Sequence, residues 1–254
     1  MNFRAAIVSL LALLSLPSLC SAVPPPTPRP LEVVVVTGGH AYDTKAFPNL
    51  FAGHDDLHLT YVTIKAASEL FDDAHGWKYD VIVFYNMTQL IPEDRQKNFL
   101  TLLDRGVGVV SLHHNIWAYQ EWPEFARIIG GKQFSKEQTF DGSLHPQSTY
   151  KHGVDIKVHV EDATHPITAG LADFHIVDET YHGLWLDPDA HMLLTTNEPT
   201  SDRPLAWWKT YRNAKTCCIQ LGHGPAIFSD ESYRKFVYQA IRWAASAKET
   251  ERAK

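Results

Sequence analysis

The sequence predicts an α/β fold built on a doubly wound, mostly parallel sheet, in a single domain with one long inserted loop. Three observations carry this. Short apolar, β-branched runs alternate with helix-like segments through the first half of the chain, the order that βαβ units produce. The first run, residues 31–37, is apolar almost throughout, as a strand covered on both faces has to be. The stretch 31–247 is long enough for one α/β domain with a sizeable core.

The elements follow in order. Residues 31–37 stop at Gly38 and Gly39, and 46–51 give a short helical pattern. Residues 58–64 read as a second strand and 79–85 as a third, led by Asp80. Pro92 opens a helix, where its missing N–H costs nothing; Glu93 and Asp94 follow in the first turn, and Leu100 and Leu103 supply an apolar face. Gly106 closes that helix, 107–112 form a fourth strand, and 121–129 a helix stopped by Gly130 and Gly131. The second half is richer in strands, with alternation at 154–160 and 174–177 and apolar runs at 192–196 and 216–221. Residues 232–245 are an amphipathic helix, with Tyr233, Phe236, Val237, Ala240 and Ile241 at helical spacing. Residues 133–152 are polar, aperiodic and longer than most connections, so this loop is a candidate lid or cavity wall.

The N-terminus reads as an export signal. Arg4 precedes a run of apolar and small residues, Pro17 breaks it, and Cys20-Ser21-Ala22 places small residues for cleavage near Ala22. The apolar core is shorter than the roughly 20 residues that span a bilayer. Residues 1–22 are therefore assigned to a signal peptide and 23–30 to a Pro-rich linker that can enter neither helix nor sheet. The domain fills 31–247, and 248–254 form a charged tail expected to fray. The mature protein is expected to be secreted or periplasmic, without a transmembrane anchor. Asn86-Met87-Thr88 is a glycosylation sequon, relevant only in a eukaryotic secretory pathway.

A formal net charge of -6 and the lack of a basic stripe argue against a nucleic-acid partner. Cys217 and Cys218 are neighbours, a poor arrangement for a bridge that wants Cα atoms about 5.5 Å apart; they read as core thiols on opposite faces of a strand. Gly38-Gly39 lacks the context of a phosphate loop, so no nicotinamide or nucleotide cofactor is expected. A serine triad is poorly supported, because no Gly-x-Ser-x-Gly occurs.

In sheets of this type ligands bind beyond the carboxyl ends of the strands, and the chain puts unusual residues there. The first strand leads into Thr37-Gly38-Gly39-His40-Ala41-Tyr42-Asp43, the third ends at Tyr85-Asn86, and the fourth at Ser111-Leu112-His113-His114-Asn115. Later segments end in Asp178-Glu179-Thr180-Tyr181-His182 and Gln220-Leu221-Gly222-His223-Gly224. Histidine supplies acid and base near neutral pH. The candidate catalytic set is His113, His114, His182 and His223, with Glu179 as orienting carboxylate. His40, Tyr42, Asn86, Tyr150, His152 and Tyr181 are candidate substrate contacts, although Tyr42 and Asp43 also read as structural, Asp43 as a helix N-cap. Strand alternation would bring only one of His113 and His114 to the cavity unless the chain turns there. Neutral imidazoles with a carboxylate also suit a divalent, zinc-like metal, with His114 and His182 as candidate ligands.

Six segments together resemble the ThuA-like (trehalose utilization) family: Val36-Thr37-Gly38-Gly39-His40-Ala41-Tyr42-Asp43, Ser111-Leu112-His113-His114, Ser148-Thr149-Tyr150-Lys151-His152, His165-Pro166-Ile167, Asp178-Glu179-Thr180-Tyr181-His182 and Gln220-Leu221-Gly222-His223. They occur in the family's order over residues 31–245. The resemblance implies a flavodoxin-like fold of the class I glutamine amidotransferase-like type. Amidotransferase relatives carry a cysteine at the turn after a central strand; here that turn reads Leu112-His113-His114-Asn115, so thiol-dependent amide hydrolysis is not expected. It also implies work on 3-keto sugars derived from trehalose or other disaccharides, hence a small sugar substrate and a sugar 3-dehydrogenase upstream, with a divalent metal as the one candidate cofactor. Trp117, Tyr119 and Trp122 then read either as sugar-stacking aromatics or as core.

A 3-keto sugar has acidified protons at carbons 2 and 4. Removing the one at carbon 2 drives loss of the glycosidic oxygen at carbon 1, given a base, an acid for the leaving oxygen, and a positive group or metal for the enolate oxygen. Cleavage or isomerisation of keto-glycosides is the expected activity. A non-catalytic carbohydrate-binding envelope protein, with dispersed histidines, and a metal-dependent amidase or esterase are the alternatives.

Overall fold

The structure, a computed structural model, describes residues 29–65 and 67–252, with side chains to residue 247. The export signal and most of the Pro-rich linker fall outside the described residues.

The chain forms β1 (Leu31–Gly38), β2 (Leu57–Thr63), β3 (Val81–Asn86), α1 (Glu93–Asp104), β4 (Gly108–Leu112), α2 (Pro123–Ile129), β5 (Gly131–Lys132), β6 (Gln138–Phe140), β7 (Ser143–His145), β8 (Thr149–Val160), β9 (Phe174–His182), β10 (Trp185–Leu186), β11 (His191–Thr195), β12 (Pro204–Tyr211), β13 (Ala214–Ile219) and α3 (Glu231–Arg252). Nine strands make one sheet in the order β2-β1-β3-β4-β13-β12-β11-β8-β9. The first five are parallel; each later pairing is antiparallel. Only β12 and β8 therefore run against the rest, and the other seven strands of this sheet deliver their carboxyl ends to one edge.

Both faces are covered, which is why β1 and β3 read as continuous apolar runs. Val33, Val35, Val83, Val110, Cys217 and Ile219 face Tyr233, Phe236, Val237, Ala240 and Ile241 of α3. The alternate residues Val34, Val36, Ile82, Phe84, Val109 and Cys218 face the layer that contains Phe99, Leu102 and Leu103 of α1 and Phe125 of α2. The period of two thus sends Cys217 and Cys218 to opposite layers, as buried free thiols. Helix α1 starts after Pro92 with Glu93 and Asp94 in its first turn, and α2 stops at Gly130, whose φ of 75° is left-handed.

The short helical pattern expected at 46–51 is a 3-10 turn, Phe47–Phe51, and the β2–β3 link carries another, Glu69–Phe71. Three features depart from the sequence reading. Strand β12 was not expected, because Lys209 interrupts its apolar pattern; the ammonium is buried there on Asp187 at 2.6 Å. The polar segment 133–152 is not structureless: it holds the β6–β7 hairpin and then opens β8, whose Thr149, Tyr150 and Lys151 pair with His182, Tyr181 and Thr180 of β9. Finally, α3 runs from Glu231 past the predicted end at residue 245 to Arg252. Among the described residues no helix is long and apolar enough to cross a membrane.

Candidate active site

The ends of β1, β3, β4, β9 and β13 and the start of β8 meet at the carboxyl edge of the sheet. There a cavity of about 220 Å³ is lined by His40, Met87, His114, Trp117, Tyr150, His152, Glu179, Tyr181 and His223.

Strand β4 ends at Leu112, and His113 turns the chain with a φ of 51° into the 3-10 turn His113–Trp117. A non-glycine residue in that conformation is uncommon and clusters at functional sites. The turn resolves the question of alternation: both histidines reach the site, on different sides of it. His113 is 1% exposed and stacks on Tyr181, ring centroids 5.2 Å apart. His114 stacks on His40 at 4.5 Å and lines the cavity. Burial, then the neighbouring His113 and His40, push the His114 imidazole down to about 2. It stays neutral and is a weak base.

Glu179 is the hub. Its carboxylate lies 3.1 Å from His113 Nε2, 3.3 Å from His223 Nδ1 and, through the other oxygen, 3.0 Å from His152 Nδ1. Burial alone would push this carboxyl up; hydrogen bonds from His113 and Tyr181 and the adjacent imidazoles outweigh it and hold it below its usual range. Burial and then Glu179 push the Tyr181 phenol far up, so its hydroxyl remains a donor.

The proton inventory of His113 is informative. Its Nδ1 lies 2.8 Å from the Gln220 carbonyl, which can only accept, so Nδ1 carries hydrogen. In the neutral ring Nε2 then presents a lone pair, which can accept from the Tyr181 hydroxyl at 3.0 Å or from His223 Nδ1 at 3.1 Å, and it faces Glu179 Oε2 at 3.1 Å. A second ring proton or a metal cation would add a positive charge to pair with the Glu179 carboxylate. His113, Glu179 and His223 form a group whose ligand atoms all lie within 4.8 Å of one another. A zinc tetrahedron with bonds of about 2.0–2.1 Å sets neighbouring ligand atoms about 3.3 Å apart, and two imidazoles with one carboxylate leave a position open. An imidazole that donates its other N–H to a backbone carbonyl is the usual outer support of such a ligand. The residues fit a divalent metal.

The loop carrying His223 is pinned from beneath. Asp178 accepts from the N–H groups of Gly222 at 2.6 Å and His223 at 2.9 Å, Tyr85 donates to the Gly222 carbonyl at 2.8 Å, and Tyr233 donates to Leu221 O at 2.9 Å. Burial pushes the Asp178 carboxyl up even against these two N–H groups. Gly222 has φ 135°, and a Cβ there would stand 2.7 Å from the Tyr233 hydroxyl. Gly39 is required in the same way: a Cβ would meet the Met87–Thr88 backbone at 2.6 Å.

Of the predicted residues, His40, His114, Tyr150, His152, Glu179, Tyr181 and His223 line the cavity, with His113 directly behind. Three do not join them. His182 follows Tyr181 on β9, so alternation turns it to the opposite face, 61% exposed and paired with Asp202 at 3.1 Å. It cannot share a metal with His114; the convergent set is His113, Glu179 and His223. Tyr42 packs edge-on against Phe47 and Tyr85, while Asp43 caps the turn by accepting from the backbone N–H groups of Lys45 and Ala46. Asn86 is fully buried and its amide is spent on Asn115 and Tyr119. Trp117 faces the cavity, whereas Tyr119 and Trp122 pack in the core. Sequence reasoning missed Met87, which carries no chemical signal, and the anchoring role of Asp178, whose place beside Glu179 was its one clue.

Fold and site together define an α/β protein with a doubly wound sheet and a histidine–carboxylate centre at its carboxyl edge. The chain belongs to the trehalose utilisation (ThuA) family, whose model matches residues 32–244. No curated protein matches the sequence. Among solved structures it is similar to a ThuA-like protein of Parabacteroides merdae, with a TM-score of 0.73 and 20% identity over 87% of this chain and 91% of that one. A ThuA-like protein of Bacteroides uniformis gives 0.61 and 21% over 86% and 93%. A β-galactosidase of Bacillus circulans shares the fold at a TM-score of 0.55 and 9% identity, over 83% of this chain and 30% of that one.

Proposed function

We propose that the protein cleaves 3-keto-glycosides, trehalose-derived ones among them, by proton abstraction at carbon 2. The observation that carries this reading is the convergence on Glu179 of three imidazoles, His113, His152 and His223, beside a cavity of sugar-ring size. A dispersed set would have favoured a binding protein.

Each residue has a task. His40 donates Nδ1–H to the Ala41 carbonyl at 2.7 Å, which leaves Nε2 as a lone pair to take the proton from carbon 2. His152 keeps Nδ1 on Glu179, its counter-ion when protonated, and hands a proton to the leaving oxygen. Carbon 2 loses its hydrogen, the electron pair forms the carbon 1–carbon 2 double bond as the carbon 1–oxygen bond breaks, and the departing oxygen gains a proton. Addition of water across that double bond completes a hydrolysis with no net oxidation or reduction. Neutral His114 offers a hydrogen-bonding group to the sugar without competing for the proton.

His113, Glu179 and His223 would hold a divalent, zinc-like cation. When bound, it supplies positive charge for the oxygen at carbon 3. A sugar 3-dehydrogenase would supply the substrate, and the export signal read at residues 1–22 supports a reaction in the periplasm or outside the cell.

The test is metal content and turnover of protein purified without chelator. Near-stoichiometric divalent metal, lost in a His113→Ala, His223→Ala double variant together with release of sugar from a 3-keto-disaccharide, is the expected result. A folded, metal-loaded protein inert toward every 3-keto-glycoside offered would overturn the reading.

A further inference from the structure

We infer that the cavity seats only the oxidised ring and that Tyr150, on its rim, forms an outer subsite for the second sugar ring of a disaccharide. This rests on the keto-glycoside reading above and deepens it.

Size comes first. The cavity of about 220 Å³ falls below the about 300 Å³ at which sites enclosing drug-sized ligands begin. A disaccharide brings two rings joined by an oxygen, and the second has to project from the mouth. The polar groups that act on the reacting ring, His40, His114, Glu179 and His223, all belong to the cavity itself.

Tyr150 is placed to meet what projects. It lines the mouth yet is 60% exposed, one of the few large apolar side chains left to solvent. Among the described residues its one ring contact is His152, edge-on at 5.2 Å. It stands two residues before His152 on β8, so the two side chains share a face of the strand. His152 is the group that protonates the leaving oxygen, so whatever departs on that oxygen passes beside Tyr150. A tyrosine offers a flat apolar face at little entropic cost, matched to the C–H face of a pyranose.

Recognition is therefore divided. The keto ring is read inside by hydrogen bonds, and the leaving ring outside by stacking alone, which tolerates different linkages and sugars. The test compares kcat/KM for a 3-keto-disaccharide with that for the methyl 3-keto-glucoside in wild type, Tyr150→Ala and Tyr150→Phe. The disaccharide-to-methyl ratio is expected to fall about five- to tenfold in Tyr150→Ala, the scale of one aromatic contact, and to stay near wild type in Tyr150→Phe. A ratio unchanged in Tyr150→Ala, or lowered equally in Tyr150→Phe, would overturn the outer subsite while leaving the activity standing. Failure of wild type to turn over either compound would bring down both.

Discussion

Replacing Glu179 by glutamine lowers kcat/KM on a 3-keto-glycoside by at least about a thousandfold, within the range for losing a charged group at a reacting centre. The amide has the size of the carboxylate but neither its charge nor its capacity to accept from three imidazoles. One oxygen currently meets His113 and His223, the other His152. Glutamine leaves one of these facing an NH2 group, and a cation or imidazolium held there would lose its negative partner. Metal content should fall with activity, while the circular dichroism spectrum stays that of the wild type. His182→Ala is the matched control, since that ring lies on the other face of β9 on Asp202; its kcat/KM should stay within about twofold. Equal losses in the two variants would mean that Glu179 matters only for folding.

Asp178→Ala is expected to cost about 2–5 kcal/mol in urea unfolding. The substitution removes the acceptor of the buried Gly222 N–H and the partly buried His223 N–H, and a buried group left unsatisfied costs about 1–3 kcal/mol. The same loss frees the loop from Gly222 to His223, so kcat should fall while the outer contacts at Tyr150 are untouched. Asp178→Asn retains one carbonyl acceptor and opposes a donor to the other N–H, and its stability should lie between the two. An alanine variant as stable as the wild type would show that the loop is held by Tyr85 and Tyr233 without the carboxylate.

The parts of the fold governed by local period were legible in the sequence. β1, β3 and β4 announce themselves by continuous burial, α1 by Pro92 and the acids behind it, and the opposed cysteines by strand alternation. What escaped depends on distant partners. β12 is a strand because β11 and β13 flank it, and it hides Lys209 against Asp187. Tyr150–His152 belong to β8 because β9 supplies the ladder, not because their own pattern alternates. For the site, the rule of carboxyl strand ends found most of the residues. It failed at His182 and Asn86, where one step along a strand decides between cavity and interior or solvent. Ending the strand at residue 177 makes His182 look equivalent to Glu179; β9 runs on to His182 and separates them.

The most direct measurement is cleavage of a 3-keto-disaccharide in deuterium oxide, with mass and proton spectra of the first keto-sugar released. Abstraction at carbon 2 predicts one deuterium at that carbon in the initial product, under conditions where free keto-sugar exchanges none. Release of keto-sugar that retains its original hydrogen at carbon 2 would contradict the account, because the glycosidic bond would then have broken without the proton transfer for which this cluster of imidazoles is arranged.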